Sequence, residues 1–321
     1  MISVIIATKN RDEALRNISL PSLLRQDTSD FEVILWDASD SEKSRRVAEQ
    51  YVPLFEEKRV PLRYFRAPRV GSASQRNDAV KSARGGIVFF IDDDCEVSSD
   101  GLSALEKCFE EYPECMGAGL MVFDKDAPSE KKLSFGESLK KKLYAALGYV
   151  KRRKVHPSGS NGGLKAPPGP AEWLSGGSMA FRRDVFSSMA FNEKLQIFGG
   201  YAMGEDVEFS HRVFLRFGRP LEVPARGKVI HHEAPQGRSG IDEKRIAMFF
   251  YNRYIIMRLS SQRAPLWGRI AYGWNMVRRF FFMGFRCGFS PVFRGAVLAW
   301  RQIQLDKKTE KSKRSCLNDQ D

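Results

Sequence analysis

Ile87-Val88-Phe89-Phe90-Ile91-Asp92-Asp93-Asp94 decides the fold of this chain. Five consecutive β-branched or aromatic residues read as a strand buried on both faces. Three carboxylates at its carboxyl end repel one another unless a cation or hydrogen-bond donors stand among them. In open α/β sheets, ligands bind just outside the carboxyl ends of the strands. An acidic cluster at that place suits a hard divalent ion and the phosphates such an ion bridges. A solvated acidic turn is the plain alternative, so the neighbouring segments have to decide.

Upstream, strand and helix patterns alternate. Ser3–Thr8 predicts a strand, followed by the polar turn Lys9-Asn10-Arg11 and a helix over about Asp12–Arg25 with Asp12 at its N-cap. Phe31–Trp36 is a second buried strand, ending in Asp37-Ala38-Ser39. A helix near Glu42–Tyr51, a short strand near Leu62–Phe65 and a helix over Ala73–Ala83 lead back to Ile87. Such alternation implies right-handed crossovers and a mainly parallel sheet. Two strand ends then carry acids, Asp37 and Asp92–Asp94, and that convergence favours a ligand site over an incidental turn. Downstream, Asp124 to Glu172 is Lys-rich, then Gly- and Pro-rich, and reads as a long mobile loop. Order returns at Trp173-Leu174-Ser175-Gly176-Gly177 and at Gly204-Glu205-Asp206, which opens an amphipathic helix. Val229-Ile230-His231-His232-Glu233 reads as a last strand ending in potential ligands.

The 321 residues, 42% hydrophobic and 28% charged, suit one large or two medium cores. The opening Met-Ile-Ser-Val-Ile-Ile has no basic segment of a signal peptide and reads as a strand. Five cysteines without paired metal spacing are expected as reduced thiols in a cytoplasm. The net charge of +13 is a property of the C-terminal part, where Arg238 to Arg314 holds 17 Lys/Arg against 4 Asp/Glu. That bias suggests an anionic partner.

The ordered set Val4–Arg11, Val33–Ser39, Gly71–Asp78, Asp92–Asp94, Trp173–Phe181 and Gly204-Glu205-Asp206 resembles the family 2 glycosyltransferases over about residues 1–235. The resemblance implies a GT-A-type α/β fold, with a mainly parallel, mixed central sheet flanked by helices. It implies transfer of a sugar, with inversion, from a nucleotide-diphosphate donor (a UDP-sugar first) to a hydroxyl, with Mn2+ or Mg2+ as cofactor. Asp92 and Asp94 match the ends of the family's DxD motif, which makes Asp94 a metal ligand and Asp92 a ribose or metal contact. Thr8, Arg11, Asp37, Arg76, Asp92 and Asp93 become the expected nucleotide-sugar contacts. The family's Asp-x-Gly-Ser pattern is altered here to Asp37-Ala38-Ser39. Asp206 is the expected catalytic base with Glu205 in reserve, since adjacent carboxylates cannot be ranked from sequence. His231 and His232 are both candidate metal ligands, because imidazole suits Mn2+. Trp173, Gly176 and Gly177 are expected on the acceptor side.

The corresponding division is a nucleotide-sugar-binding half over 1–123 and an acceptor-binding, catalytic half over 124–236 with its mobile loop at 124–172. A helical, membrane-associating extension follows at 237–306, then a disordered tail at 307–321. From Phe249 onward aromatic and basic residues interleave, as in helices that lie in a membrane interface. The expectation is a peripheral protein on the cytoplasmic face, meeting an anionic membrane surface through 249–314, with a glycan or lipid-linked acceptor. Charge alone also suits nucleic-acid binding, but no nucleic-acid motif appears and none is expected as a partner. A sugar-nucleotide nucleotidyltransferase generally carries a Gly-rich loop after its first strand, and Lys9-Asn10-Arg11-Asp12 has no glycine.

Overall fold

The computed structural model describes residues 1–125, 152–199, 202–232 and 242–318, the side chains of 263 and 313–318 excepted. The apolar runs build its centre. In β1 (Ile2–Thr8), Val4 and Ile6 enter one buried cluster while Ile5 enters another. In β4 (Ile87–Ile91), Phe89 and Ile91 side with Val4, while Val88 and Phe90 side with Ile5. Alternate residues point to opposite faces, so an unbroken apolar run is what a strand covered on both sides requires.

β2 (Phe31–Asp37) and β3 (Leu62–Arg66) extend the sheet, and the order β3-β2-β1-β4 is parallel throughout. Thr8 stands opposite Asp37 and Ile6 opposite Ile91, so the carboxyl ends of three strands lie level. The order reverses direction between β1 and β4, which opens a crevice between the loop after Thr8 and the acids after Ile91. Beyond β4 the sheet turns mixed: the order continues β9 (Met179–Arg182), β6 (Gly117–Ala118), β10 (Leu221–Val223), β8 (Gly169–Ala171). A second sheet of three strands sets β11 (Lys228–His231) between β5 (Cys95–Val97) and β7 (Met121–Asp124).

The first helical stretch runs as α1 (Asp12–Ala14), a π-helical Leu15–Ser19 and α2 (Leu20–Leu24). Arg11 rather than Asp12 occupies its N-cap. The crossovers that follow carry α3 (Lys43–Glu57) and α4 (Ser72–Val80), and α5 (Gly101–Glu111) leads on towards β6. After β9 the chain reaches α6 (Glu205–Phe217), entered through Gly204 at φ +82°, a backbone state that suits glycine.

Three helices end the chain: α7 (Glu243–Ser260), α8 (Pro265–Cys287) and α9 (Phe289–Asn318). α7 is buried around most of its girth by Ile246, Ala247, Phe250, Tyr251, Ile256 and Met257. α9 is tied to it by Tyr251 donating to Asp306 and by the ion pairs Arg258–Glu310 and Arg294–Glu243. The tail expected to be disordered from 307 therefore continues as helix to Asn318. Of the loop expected over 124–172, residues 126–151 lie outside the described set. The described remainder is tied into the fold by hydrogen bonds. Arg153 donates to the carbonyls of Leu164 and Pro167, Val155 bridges Asn161, and Arg253 of α7 donates to Gly159.

Phe209 of α6 locks that helix to the sheet. Its ring stacks on Phe191 at 4.1 Å and meets Phe181 of β9 edge-on at 5.0 Å. Truncating a fully buried phenylalanine removes both transfer energy and packing, so Phe209→Ala should destabilise the fold by about 3–5 kcal/mol. A lowered midpoint in urea, followed by circular dichroism, is the expected outcome.

Candidate active site

A cavity of about 1120 Å3 lies at the level carboxyl ends of β1 and β4. It is roomier than the roughly 300–1,000 Å3 typical of small-molecule pockets. Thr8, Lys9, Asn10 and Arg11 form one wall, Asp92 to Cys95 the floor, and Gly176, Gly177, Glu205 and Asp206 the far side.

The three aspartates are held apart by different partners. Asp93 is buried and accepts from the Thr8 hydroxyl at 2.7 Å. Arg11 Nε lies 3.0 Å from Asp93, out of line for a hydrogen bond, while Arg11 Nη2 bonds Asp94. Burial pushes the Asp93 carboxyl up to about 7, against the opposing charge of Arg11. Burial also works to raise Asp94, but a hydrogen bond from His231 and the charge of Arg11 hold it below the ordinary carboxylate value. Asp92 faces the cavity, and its Oδ1 receives Arg76 Nη2 at 3.0 Å.

The donor set at this floor fits a divalent cation. Asp92, Asp94 and Cys95 offer ligand atoms within 4.8 Å of one another, and His231 Nε2 lies 3.4 Å from Asp94 Oδ1. Burial, helped by the nearby carboxylates, pushes the Cys95 thiol well above its usual value, which opposes the thiolate form that binds metals. Two carboxylates and one imidazole remain, a set suited to Mn2+ or Mg2+. His231 reaches this place because β11 sets it opposite Cys95 on one side and Asp124 on the other. His232, one residue on, turns the other way and meets Glu96 Oε2 at 2.8 Å, away from the cavity.

Across the cavity, Arg76 is 4% exposed and donates to Glu205 at 2.5 Å as well as to Asp92. Asp206 accepts instead from two backbone amides, Gly176 N and Val207 N, each at 2.8 Å. Burial raises both carboxyls, Glu205 to about 7. Gly176 and Gly177 thread between the two acidic groups. A Cβ on Gly177 would stand 2.9 Å from Cys95 Sγ, and one on Gly176 would lie 3.4 Å from Asp206 Cβ.

Two further residues singled out in the sequence lie outside the cavity lining. Asp37 is fully buried, held by the Ser39 amide and hydroxyl and by Tyr64 at 2.8 Å. Trp173 packs with Val155, Val207 and Ile256, its indole N–H donating to Gly162. Conversely, sequence reasoning did not single out Gln75, which donates to the Thr8 and Trp36 carbonyls, or Asp124 beside His231. Nor did it place Lys244, Arg245 and Met248 of α7 on the cavity wall. Asp124 is set beside His231 by the pairing of β11 with β7, a register contact that the sequence of either strand alone does not carry.

Arg76 compensates Glu205 in a dry setting, so Arg76→Leu should cost about 3–5 kcal/mol of stability above about pH 8. Glu205, with its folded-state pKa raised, is protonated as the pH falls. The deficit relative to the parent chain should therefore shrink towards about pH 5. Paired thermal melts at the two pH values measure the difference.

A sequence model of glycosyl transferase family 2 matches residues 3–188. A Bacillus subtilis protein described as an uncharacterized glycosyltransferase, EpsJ, is 30% identical over 120 residues, 37% of this chain and 33% of its own length. A Campylobacter jejuni GalNAc(5)-diNAcBac-PP-undecaprenol beta-1,3-glucosyltransferase is 30% identical over 141 residues, 44% of each chain. The chain thus spans less than half the length of these relatives. Among solved structures, the mannosyltransferase PcManGT of Pyrobaculum calidifontis, in complex with GDP-Man and Mn2+, superposes with a TM-score of 0.57 at 15% identity. That match covers 93% of this chain and 86% of that one. S. aureus TarS 1-349, in complex with UDP-GlcNAc, gives 0.53 at 18% identity, over 81% and 65%. At such identities the structural likeness establishes the fold, a GT-A architecture, and the sequence match establishes kinship. The chain belongs to glycosyltransferase family 2.

Proposed function

We propose that the chain is a divalent-metal-dependent, inverting glycosyltransferase. It moves a sugar from a nucleoside-diphosphate donor, a UDP-sugar first, to a hydroxyl of a glycan or lipid-linked acceptor. One observation carries this. A single cavity holds a metal-type donor set (Asp92, Asp94, His231) and, beyond Gly176 and Gly177, a half-buried carboxylate, Asp206, whose hydrogen-bond partners are backbone amides. Support comes from the neighbours that bind GDP-Man with Mn2+ and UDP-GlcNAc, and from a relative with PP-undecaprenol in its name.

Asp92, Asp94 and His231 hold the cation. Mn2+ or Mg2+, when bound, stabilises the charge that gathers on the departing diphosphate. Arg11 and Arg76, now paired with the same aspartates, keep the floor near neutral and steer the phosphates. Thr8 and Asp93 fix Arg11, and Asp37 acts on the nucleotide only through the loop it braces at Ser39. The two amides that hold Asp206 orient its carboxylate, which takes the proton from the attacking hydroxyl. Glu205, tied to Arg76, is a positioning residue beside it. Trp173 serves the acceptor side by bracing the segment that ends at Gly176. Residues 1–123 thus form the donor half and 124–236 the acceptor half. The proposal includes peripheral attachment, by 249–314, to an acidic membrane on its cytoplasmic face.

Asp94→Ala should abolish Mn2+-stimulated donor hydrolysis. Asp206→Asn should leave donor affinity within about threefold while transfer falls by about 10²–10⁴-fold. Isothermal titration with donor and a radiolabelled-sugar transfer assay separate the two; undiminished transfer by Asp206→Asn would remove the base assignment.

The pH profile gives a second check. Asp206 works ionised, and burial disfavours its charged form, so kcat/KM should fall as pH drops through an apparent pKa above the ordinary carboxylate value of about 4. Glu205→Gln deletes the neighbouring like charge and should move that limb to lower pH.

A further inference from the structure

Among the described residues, most of the exposed large apolar side chains lie on the C-terminal helices. Leu266, Trp267, Ile270, Trp274, Val277, Phe281 and Phe285 of α8 are all exposed, Leu266 at 75% and Phe285 at 82%. Their spacing of three and four residues places them on one stripe covering roughly 100° of the helix. The opposite side of α8, with Met276, Phe280 and Met283, packs on α7 and α9. At the turn into α9 the stripe continues through Phe289 and Phe293, and farther along α9 Trp300 is exposed as well.

Charge selects the occupant. α8 holds four arginines (Arg269, Arg278, Arg279 and Arg286) and no acidic residue, and α9 adds Arg294 and Arg301 before its first carboxylate at Asp306. A second copy docked through this face would set arginine rims against each other. An acidic lipid surface would instead meet both the rings and the cations. Among the described residues no helix is long and apolar enough to cross a membrane, and the arginines of α8 suit a helix lying in the interface.

We infer that the outward stripe of α8, with Phe289 and Phe293 of the α8–α9 turn, is the surface that docks on an acidic bilayer. α7 serves as the internal strut that joins this surface to the cavity. The inference rests on the membrane part of the preceding proposal and is independent of its chemistry. It narrows the stretch 249–314, because Phe250 and Tyr251 are interior and Arg253 is spent on Gly159 and Asn161. It also gives the site a geometry. α7 places Lys244, Arg245 and Met248 on the cavity wall at its first turns, and Arg294 beside the α8–α9 turn pairs with Glu243 there. The apolar elbow and the cavity therefore share one end of α7, where an acceptor embedded by its lipid could reach Asp206 without leaving the membrane.

Natural fluorophores make the test direct. Trp267, Trp274 and Trp300 are exposed, whereas Trp173 is buried and Trp36 packs on Phe65. Vesicles of phosphatidylcholine with phosphatidylglycerol should blue-shift the emission of the full chain, and brominated acyl chains should quench it. The double variant Phe281→Glu/Phe285→Glu should lower vesicle co-sedimentation by about tenfold or more. Its Mn2+-dependent donor hydrolysis should equal that of the parent chain. Emission untouched by lipid in the parent chain, or equal co-sedimentation of parent and variant, would overturn the inference. So would a dimer in sedimentation velocity that the double variant dissolves. Loss of transfer chemistry shows in the hydrolysis arm, so the two proposals fail separately.

Discussion

Arg76 sits 4% exposed between two acidic groups that the chain brings from far apart, Asp92 at the tip of β4 and Glu205 at the start of α6. Its guanidinium opposes the burial that raises the Glu205 carboxyl, and it bridges that group to Asp92. The crevice at the β1–β4 reversal thus gathers Asp92, Asp94 and Asp206 in one cavity with a cationic partner built in. Arg11 repeats the device for Asp93 and Asp94. The site is thus built from alternating charges before any ligand enters. On the proposed function, a cation and a diphosphate would each find a counter-charge already in position, which would limit reorganisation at the moment of reaction.

Much of this was legible in the sequence, for a physical reason. A strand covered on both faces needs an unbroken apolar run, and Ile87–Ile91 has one. A parallel sheet aligns strand ends, so Thr8, Asp37 and the acids after Ile91 end at one level. The less legible parts all depend on contacts distant in sequence. Asp37 follows the same pattern as Asp92, yet Tyr64 and Ser39 occupy its oxygens and draw it beneath the surface. Trp173 is an aromatic beside two glycines, but its N–H finds the Gly162 carbonyl and its ring fills a core. Period-two alternation says that only one of His231 and His232 can face a given side. Which one is a matter of register against Cys95 and Asp124, and one strand's sequence does not carry it.

The C-terminal part shows the same limit. Basic and aromatic residues mix along 249–314, and composition cannot distinguish a ring that packs inward from one that faces out. α7 is buried around most of its girth, so it has no amphipathic stripe to read. α8 does have one, and there the pattern and the exposure agree. Beyond 307, where disorder was expected, the described chain is helical to Asn318, and α9 is anchored by Asp306 to Tyr251 and Glu310 to Arg258. Those links lie 55 and 52 residues apart in sequence.

α7 then connects the two ends of the molecule's work. Its first turns carry cations to the cavity wall, and its flank receives Arg279 over the Phe249 ring at 5.0 Å, beside the exposed phenylalanines of α8. Asn252, one turn further, donates to the carbonyls of Leu195 and Met203, just ahead of the Gly204 turn that starts α6. If α8 docks as proposed, a displacement of it would reach Asp206 through this buried strut, because close-packed interiors transmit strain. The bonds that seat α7 against the Gly204 turn would then hold the docked surface and Asp206 in one frame.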